Sequence, residues 1–441
     1  MPYTYRVGSV INTIFFFWKG CYMILLFRIF LWIGILGMVN LQATQYVLSP
    51  TDDWFSILTG SSLQPGDEVV LTSGVYTTSS NIAIKHQGTA DNPITIRAAT
   101  GANVVFTHDI DHNVLNLEGA RHLILQGLEV TGGSMGIRIY ENSQGEDAKF
   151  ITIQDCYIHH TGEAAITANH NNQTYEGMIF RRNEISHTGG TGEGLYLGSN
   201  YNQSQFFNSL IENNYIHHLN GSLVVQGDGV EIKEGSYNNI IRNNVIHDIN
   251  YPGVIVYGTA GNGGRNTILG NVIWNCNDNA LQAAADANVE NNLIFNTLGD
   301  GIHVREHQNS VPGNLNITNN TVINNTGYYG IRITDDNISG DILLTNNTVY
   351  TADSNNAMLL AVSSQGGLYQ LIASGNSILG MDQININLQY LFPTMLITGT
   401  DTNQVIMSAL SSFTVPEPST IFVVFFGFFA ILFHCRYLKK F

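Results

Sequence analysis

The segment Gly227-Asp228-Gly229-Val230-Glu231-Ile232-Lys233-Glu234 gathers three carboxylates and an amine into one short stretch. If it is a strand, side chains alternate between its faces, so Glu231 and Lys233 share one face. A Lys or Tyr can remove a weakly acidic proton when its surroundings lower its pKa. A cation beside the substrate's carboxylate then stabilises the charge that develops. This is the chemistry of β-elimination in a uronic-acid polymer. It assigns Lys233 as the base and Arg305 or Arg138 as the carboxylate clamp. Asp228, Glu231 and Glu234 are expected to donate oxygens to Ca²⁺. His303, with His307 nearby, is a candidate for acid–base work. The same segment also suits a plain surface lysine flanked by Glu231 and Glu234.

Positioning such groups needs a regular scaffold, and the sequence repeats. Cys156-Tyr-Ile-His-His, Asn183-Glu-Ile-Ser-His, Asn214-Tyr-Ile-His-His and Asn244-Val-Ile-His-Asp open a series that continues at Asn271, Asn292, Asn320, Asn347 and Asn376. The spacings are 27, 31, 30, 27, 21, 28, 27 and 29 residues. A period of this size, with variable insertions, is one coil of a solenoid. After most copies comes a second strand, as in Gly194-Leu-Tyr-Leu, Gly229-Val-Glu-Ile and Gly301-Ile-His-Val. Its first and third residues are aliphatic and point inward, which fixes the register. Its outward positions then form rows. One row holds Arg138, Thr167, Tyr196, Glu231, Ile255, Gln282, His303 and Arg332; the other includes Tyr140, Lys233, Tyr257 and Arg305. Tyr196 and Tyr257 are expected to stack on sugar rings, and Arg138 and Arg332 to pair with uronic carboxylates. Lys233 and Arg305 fall three coils apart, ~14 Å at strand spacing, too far to touch one sugar together.

The recurring Asn is read as the bend residue, forming a ladder along the solenoid. His160, His187, His218 and Asp248 stack in one row beside His159, His217 and His247, either as ladder residues or as metal ligands. Arg181, Glu212 and Arg242 form an outward row of alternating charge. Cys156 and Cys276 lie four coils apart, ~19 Å at strand spacing. That exceeds disulfide reach, so they are expected to be buried small residues.

The opening segment, Gln64-Pro-Gly-Asp67 through Gly74-Val-Tyr76 to Asn92-Pro-Ile-Thr-Ile-Arg97, resembles the first coils of right-handed β-helix carbohydrate-active proteins, including chondroitinase B-type and alginate lyases. The resemblance extends in fold over about residues 46 to 380. It implies a secreted polysaccharide-acting protein, with Lys, Arg and Ca²⁺-binding carboxylates at its site. The spacing around Lys233 departs from the Lys-Ser-type signature of that group, which puts a complete lyase motif in doubt.

Residues 1–43 read as a signal-peptide region, with an apolar run from Met23 past Arg28 to Val39 and a cleavage site at Leu41-Gln42-Ala43. Met23 is an alternative start, and a retained membrane helix is the alternative fate. Pro416-Glu417-Pro418, the apolar block 420–433 and the basic cluster Arg436-Tyr-Leu-Lys-Lys resemble the PEP-CTERM sorting signal of Gram-negative bacteria. The resemblance implies transient inner-membrane insertion, an exosortase-type processing enzyme, and delivery to the cell surface or extracellular matrix. A plain C-terminal anchor is the alternative. Residues 381–414 are a final coil or a linker to that tail.

Composition narrows the function classes. The chain is acidic, at a formal net charge of −16. Six of its basic residues sit in the terminal segments, so the body is more acidic still. That excludes nucleic acid, which needs basic stripes. The sequence therefore predicts an all-β, right-handed parallel β-helix of about ten coils acting on polysaccharide. The activities it supports are lyase chemistry, glycan binding without catalysis, epimerisation, or hydrolysis by carboxylates among Asp300, Glu306, Asp335 and Asp336.

Overall fold

The computed structural model describes residues 43–324, 328–335, 337–362 and 368–381, together with 396–397, 400–401, 405–406 and 408–409. The expected leader (1–42), Asp336 and the motif Pro416, Glu417, Pro418 lie outside the described residues. Among the described residues, no helix is long and apolar enough to cross a membrane.

The body is a right-handed parallel β-helix. Three parallel sheets of 13, 12 and 11 strands run its length, each strand pairing with its counterparts one coil before and after. The repeated Asn element supplies the second sheet, as in Tyr157–His159, Glu184–Ser186, Tyr215–Leu219 and Val245–Ile249. The Gly-led strands supply the third, as in Ile137–Tyr140, Leu195–Leu197, Val230–Ile232 and Ile302–Val304. Further strands belong to opening turns before Cys156, where the Asn element is missing. One short helix, α1 (Trp54–Thr59), begins at Asp53, whose side chain accepts from Ser56 N. Trp54 packs edge-on against Tyr76 and Phe106 at the first turns.

Inward aliphatic residues fill one continuous core: Leu195, Leu197, Val230, Ile232, Val254 and Val256 are fully buried. Cys156 and Cys276 are buried and unpaired, as their spacing requires.

The bends depart from expectation in one detail. The left-handed backbone falls on the residue before the ladder position: Asp155, before Cys156, and Arg182, Asn213, Asn243, Asn291, Asn319 and Asn346, each before a ladder Asn, have φ between 53° and 57°, and Gly270 and Gly375 take the place before Asn271 and Asn376. The ladder Asn itself is spent on hydrogen bonds. Asn244 Nδ2 donates to Ile211 O (3.0 Å) and Asn271 Oδ1 (2.9 Å), while its Oδ1 accepts from Asn214 N (2.9 Å) and Asn214 Nδ2 (3.0 Å). The same pattern runs to Asn376. A buried Asn with all its polar atoms satisfied stabilises the turn, whereas an unsatisfied one would cost 1–3 kcal/mol.

The outer face of the second sheet carries an apolar stripe of Val245, Val272, Trp274, Leu293, Phe295, Ile323 and Tyr350. Ile406, from the region expected to be a final coil or linker, is buried on this stripe.

Candidate functional site

The third sheet presents its outward side chains in register. Across successive strands, Arg138 pairs with Thr167, Thr167 with Tyr196, Tyr196 with Glu231, Glu231 with Ile255, Ile255 with Gln282, Gln282 with His303, and His303 with Arg332. Two polar centres form along this row.

The first surrounds Lys233. Its Nζ makes an ion pair with Glu231 Oε1 and lies 3.4 Å from Tyr257 Oη. Tyr257 in turn donates to Glu231 Oε1 at 3.1 Å. The ammonium sits over two rings, 4.9 Å from the Tyr196 centroid and 5.0 Å from that of Tyr257. Lys233 is only 6 % exposed, so this is not a plain surface lysine. Burial, reinforced by the Glu231 carboxylate, pushes both phenols well above the usual tyrosine range.

Glu231 also joins a second group. Carboxylate oxygens of Glu193, Asp228 and Glu231 all lie within 4.8 Å of one another, and all three residues are buried. Both oxygens of Glu193 and Oε2 of Glu231 are buried without a hydrogen-bond partner. Burial, then the neighbouring carboxylates, pushes Asp228 well above the ordinary carboxylate range, and burial raises Glu193 as well. Three desolvated carboxylates facing one lysine ammonium are under-compensated. Such a set of hard oxygen donors fits a divalent cation of the Ca²⁺ type.

The second centre lies further along the row. His303 Nδ1 is 3.1 Å from Asp300 Oδ2, and Arg332 Nη1 is 3.6 Å from the same oxygen. Tyr329 N donates to Asp300 Oδ1 at 2.9 Å. Burial, with the charges of Arg305 and Arg332, lowers His303 to about 4, so it is neutral near pH 7. Arg332 Nε is buried without a partner. These groups line a cleft of about 190 Å³ together with Asp278, Leu298 and Tyr328, and exposed Arg305 lies at its edge.

The structure brings some of the sequence-derived candidates together and separates others. Lys233, Glu231, Tyr196 and Tyr257 meet, and so do His303, Arg305 and Arg332. Asp228 and Glu231 converge, but Glu234 stands apart from that group: its carboxylate accepts from Asn309 at 3.3 Å. Arg138 lies over Tyr140 (4.5 Å), three strands before Lys233. In the alternating-charge row, Arg242 bonds Glu212 (2.7 and 2.9 Å), whereas Arg181 turns to Gln154 (2.8 Å).

One residue, Glu193, was missed by the sequence reading, and for His307 the reading missed the place to which the fold brings it. Glu193 sits before Gly194 as Asp228 sits before Gly229, on adjacent coils, and aligning these turn positions would have found it. His307 arrives on a loop that doubles back over the sheet. Its ring lies 4.7 Å from that of Tyr257, while Gln308 donates to Asn200 (2.9 Å) and Ser310 Oγ accepts from Gly258 N (2.8 Å). No local pattern announces such a return.

The chain matches the family described as "Right handed beta helix region" over residues 174–349 and that described as "Chondroitinase B" over residues 59–188. The second match ends before the Glu193–Lys233 centre. No curated protein matches the chain. Among solved structures, a mannuronic acid specific polysaccharide family 6 lyase from human gut microbiota superposes with a TM-score of 0.51 at 14% identity, covering 84% of this chain and 96% of that one. An alginate lyase from Paenibacillus sp. str. FPU-7 gives a TM-score of 0.44 at 19% identity, over 75% and 99% of the two chains. Pectate lyase Pel9A gives 0.47 at 14%, over 76% and 79%. The likeness to the gut-microbiota lyase is one of fold.

Proposed function

We propose that this chain is an exported β-helix protein that cleaves a uronic-acid polysaccharide by β-elimination. The observation that carries the reading is Lys233: a buried amine against two tyrosines and three carboxylates, on the same sheet as a cleft that holds Arg305 and Arg332. The lyases to which the chain is similar in fold support the substrate class. An elongated row of outward groups suits a polymer lying across the coils.

In the proposed reaction, Lys233 Nζ takes the proton from C5 of the sugar. The electrons of that C–H bond form C4=C5, the C4–O bond breaks, and the leaving oxygen takes up a proton. To act as base, Lys233 Nζ must leave its ion pair with Glu231. Tyr196 and Tyr257 offer ring faces to a sugar. Arg305 and the part-exposed guanidinium of Arg332 provide anion contacts for a uronic carboxylate further along the chain. Glu193, Asp228 and Glu231 would hold Ca²⁺, which when bound supplies positive charge near a substrate carboxylate. Export by the N-terminal leader, and sorting through Pro416-Glu417-Pro418 to the cell surface or matrix, belong to the same proposal.

A second reading, glycan binding without catalysis, is favoured by one observation: Lys233 Nζ is already engaged in an ion pair with Glu231. The test incubates the full chain with a panel of uronic polysaccharides, with and without Ca²⁺, and follows the ultraviolet absorbance of the new C=C bond. Absorbance growth supports the lyase. Retention on a polysaccharide without absorbance supports the binding protein. A changed uronic-epimer ratio, or saturated fragments, would replace both with an epimerase or a hydrolase.

A further inference from the structure

On the second sheet, at and just beyond the ends of its strands, the structure holds a second ionisable constellation that the proposed polysaccharide chemistry does not use. His160, His187 and His218 occupy left-handed turn positions and stack face to face, with centroids 4.7 and 5.2 Å apart. Asp248 takes the next place in that row. His217 and His247 lie beside them and stack at 5.4 Å.

The hydrogen bonds here assign the tautomers. His217 Nε2 lies 3.3 Å from Glu184 Oε1, so it carries the proton and donates. That leaves His217 Nδ1 as an acceptor, and His218 Nδ1 lies 2.6 Å from it. His218 must therefore donate from Nδ1, and its Nε2 keeps a lone pair. This Nε2 is 3.7 Å from Asp248 Oδ2. His247 Nδ1 lies 2.7 Å from the same oxygen, and its Nε2 lies 2.9 Å from Tyr215 Oη. Asp248 is anchored through its other oxygen, which accepts from Asn275 Nδ2 at 2.9 Å.

We propose that His218 Nε2, His247 Nδ1 and Asp248 Oδ2 form a binding site for a zinc-class divalent transition-metal ion. Asp248 Oδ2 lies 3.7 Å from His218 Nε2 and 2.7 Å from His247 Nδ1, and each of the three residues offers a ligand atom within 4.8 Å of the others. Two imidazoles and a carboxylate are a common set for such ions, and three protein ligands leave one position for water. Each ligand is already oriented by a partner behind it: Glu184 through His217 for His218, Tyr215 for His247, and Asn275 for Asp248. This is the outer-shell arrangement that fixes ring tautomers in metal sites. Only His247 has to change, moving its proton from Nδ1 to Nε2, where it donates to Tyr215. His218 is half-exposed, so an ion can reach the site from solvent.

The fold supplies its own control. Glu129, His159 and His160 repeat the same relay two coils earlier, with His159 Nε2 3.2 Å from Glu129 and the two Nδ1 atoms 2.6 Å apart. Beyond His160 stands His187, and no carboxylate occupies the place of Asp248. The inference is independent of the polysaccharide reading.

The test titrates the full chain with Co²⁺ and reads its visible d–d absorption, with metal content measured after dialysis. One ion per chain is expected, with the intense bands of a low-coordinate site. His218→Ala and Asp248→Asn should each weaken binding at least 10-fold. Glu184→Gln, which touches no metal, should weaken it about 10-fold. His160→Ala and Glu193→Gln should leave the bands unchanged. Circular dichroism checks that each variant keeps its β-signal, and the exposed His218 serves if Asp248→Asn does not fold. Absence of the bands in the wild-type chain would overturn the proposal. So would bands that survive both His218→Ala and Asp248→Asn, or that are lost in His160→Ala.

Discussion

Replacing Glu193 by Gln should stabilise the cation-free protein and abolish its response to Ca²⁺. Glu193, Asp228 and Glu231 bring their oxygens within 4.8 Å of one another in a buried site. At that separation and an effective dielectric of 20, each carboxylate pair repels by about 3 kcal/mol. Lys233 offsets part of this, most directly through its ion pair with Glu231. Gln removes the charge of Glu193, keeps its shape, and adds donors that its two carboxylate neighbours can accept. The expected gain is therefore on the order of 1–3 kcal/mol, after discounting for the protonation that burial already favours. The cation does the opposite for the wild type. At one hundred times its Kd, Ca²⁺ should add about 2.7 kcal/mol, whereas the variant lacks a ligand and gains much less. Thermal melts of both proteins in chelator and in excess Ca²⁺ read the four states. The reasoning is refuted if Glu193→Gln melts lower than the wild type in chelator and both respond equally to Ca²⁺.

His303 gives a pH prediction. Burial and two arginines lower it to about 4 in the folded chain, against about 6.5 when unfolded. The fold holds the neutral form, so this contribution is complete above about pH 6.5. It falls as the pH drops, by about 3 kcal/mol in total, and levels off below about pH 4. Urea unfolding from pH 7 to pH 4 should show this loss, and His303→Gln should flatten it. Asn244→Ala removes a side chain with four hydrogen bonds from the centre of the ladder and should destabilise the protein by about 4 kcal/mol. Asn376→Ala, at the ladder's end, should cost less, as urea midpoints will show.

The scaffold was legible because its rules are local and repeat. Alternation after Gly194, Gly229 and Gly301 placed inward and outward rows correctly, and the register then followed. The Asn positions marked the bends, although the strained φ belongs to the preceding residue. The site was legible only where it lies along a strand, as with Glu231 and Lys233. Glu193 escaped because it acts from a turn one coil away. His307 was read as a neighbour of Arg305, but its place against Tyr257 was not readable, because the loop that carries it packs by tertiary contact, and the same loop holds Glu234 through Asn309. Burial of Lys233 depends on neighbours from three coils and so could not be read from its own segment. The apolar outward residues Val245, Val272 and Leu293 were a readable sign that something covers the second sheet, and Ile406 does.

The most direct test of the central claim is the initial rate of C=C formation by the wild type and by Lys233→Ala on the best polysaccharide, with circular dichroism at the assay temperature confirming that both are folded. The rate should fall at least 100-fold, the usual range for loss of a general base. A variant that keeps its rate would remove Lys233 from the chemistry and contradict the account.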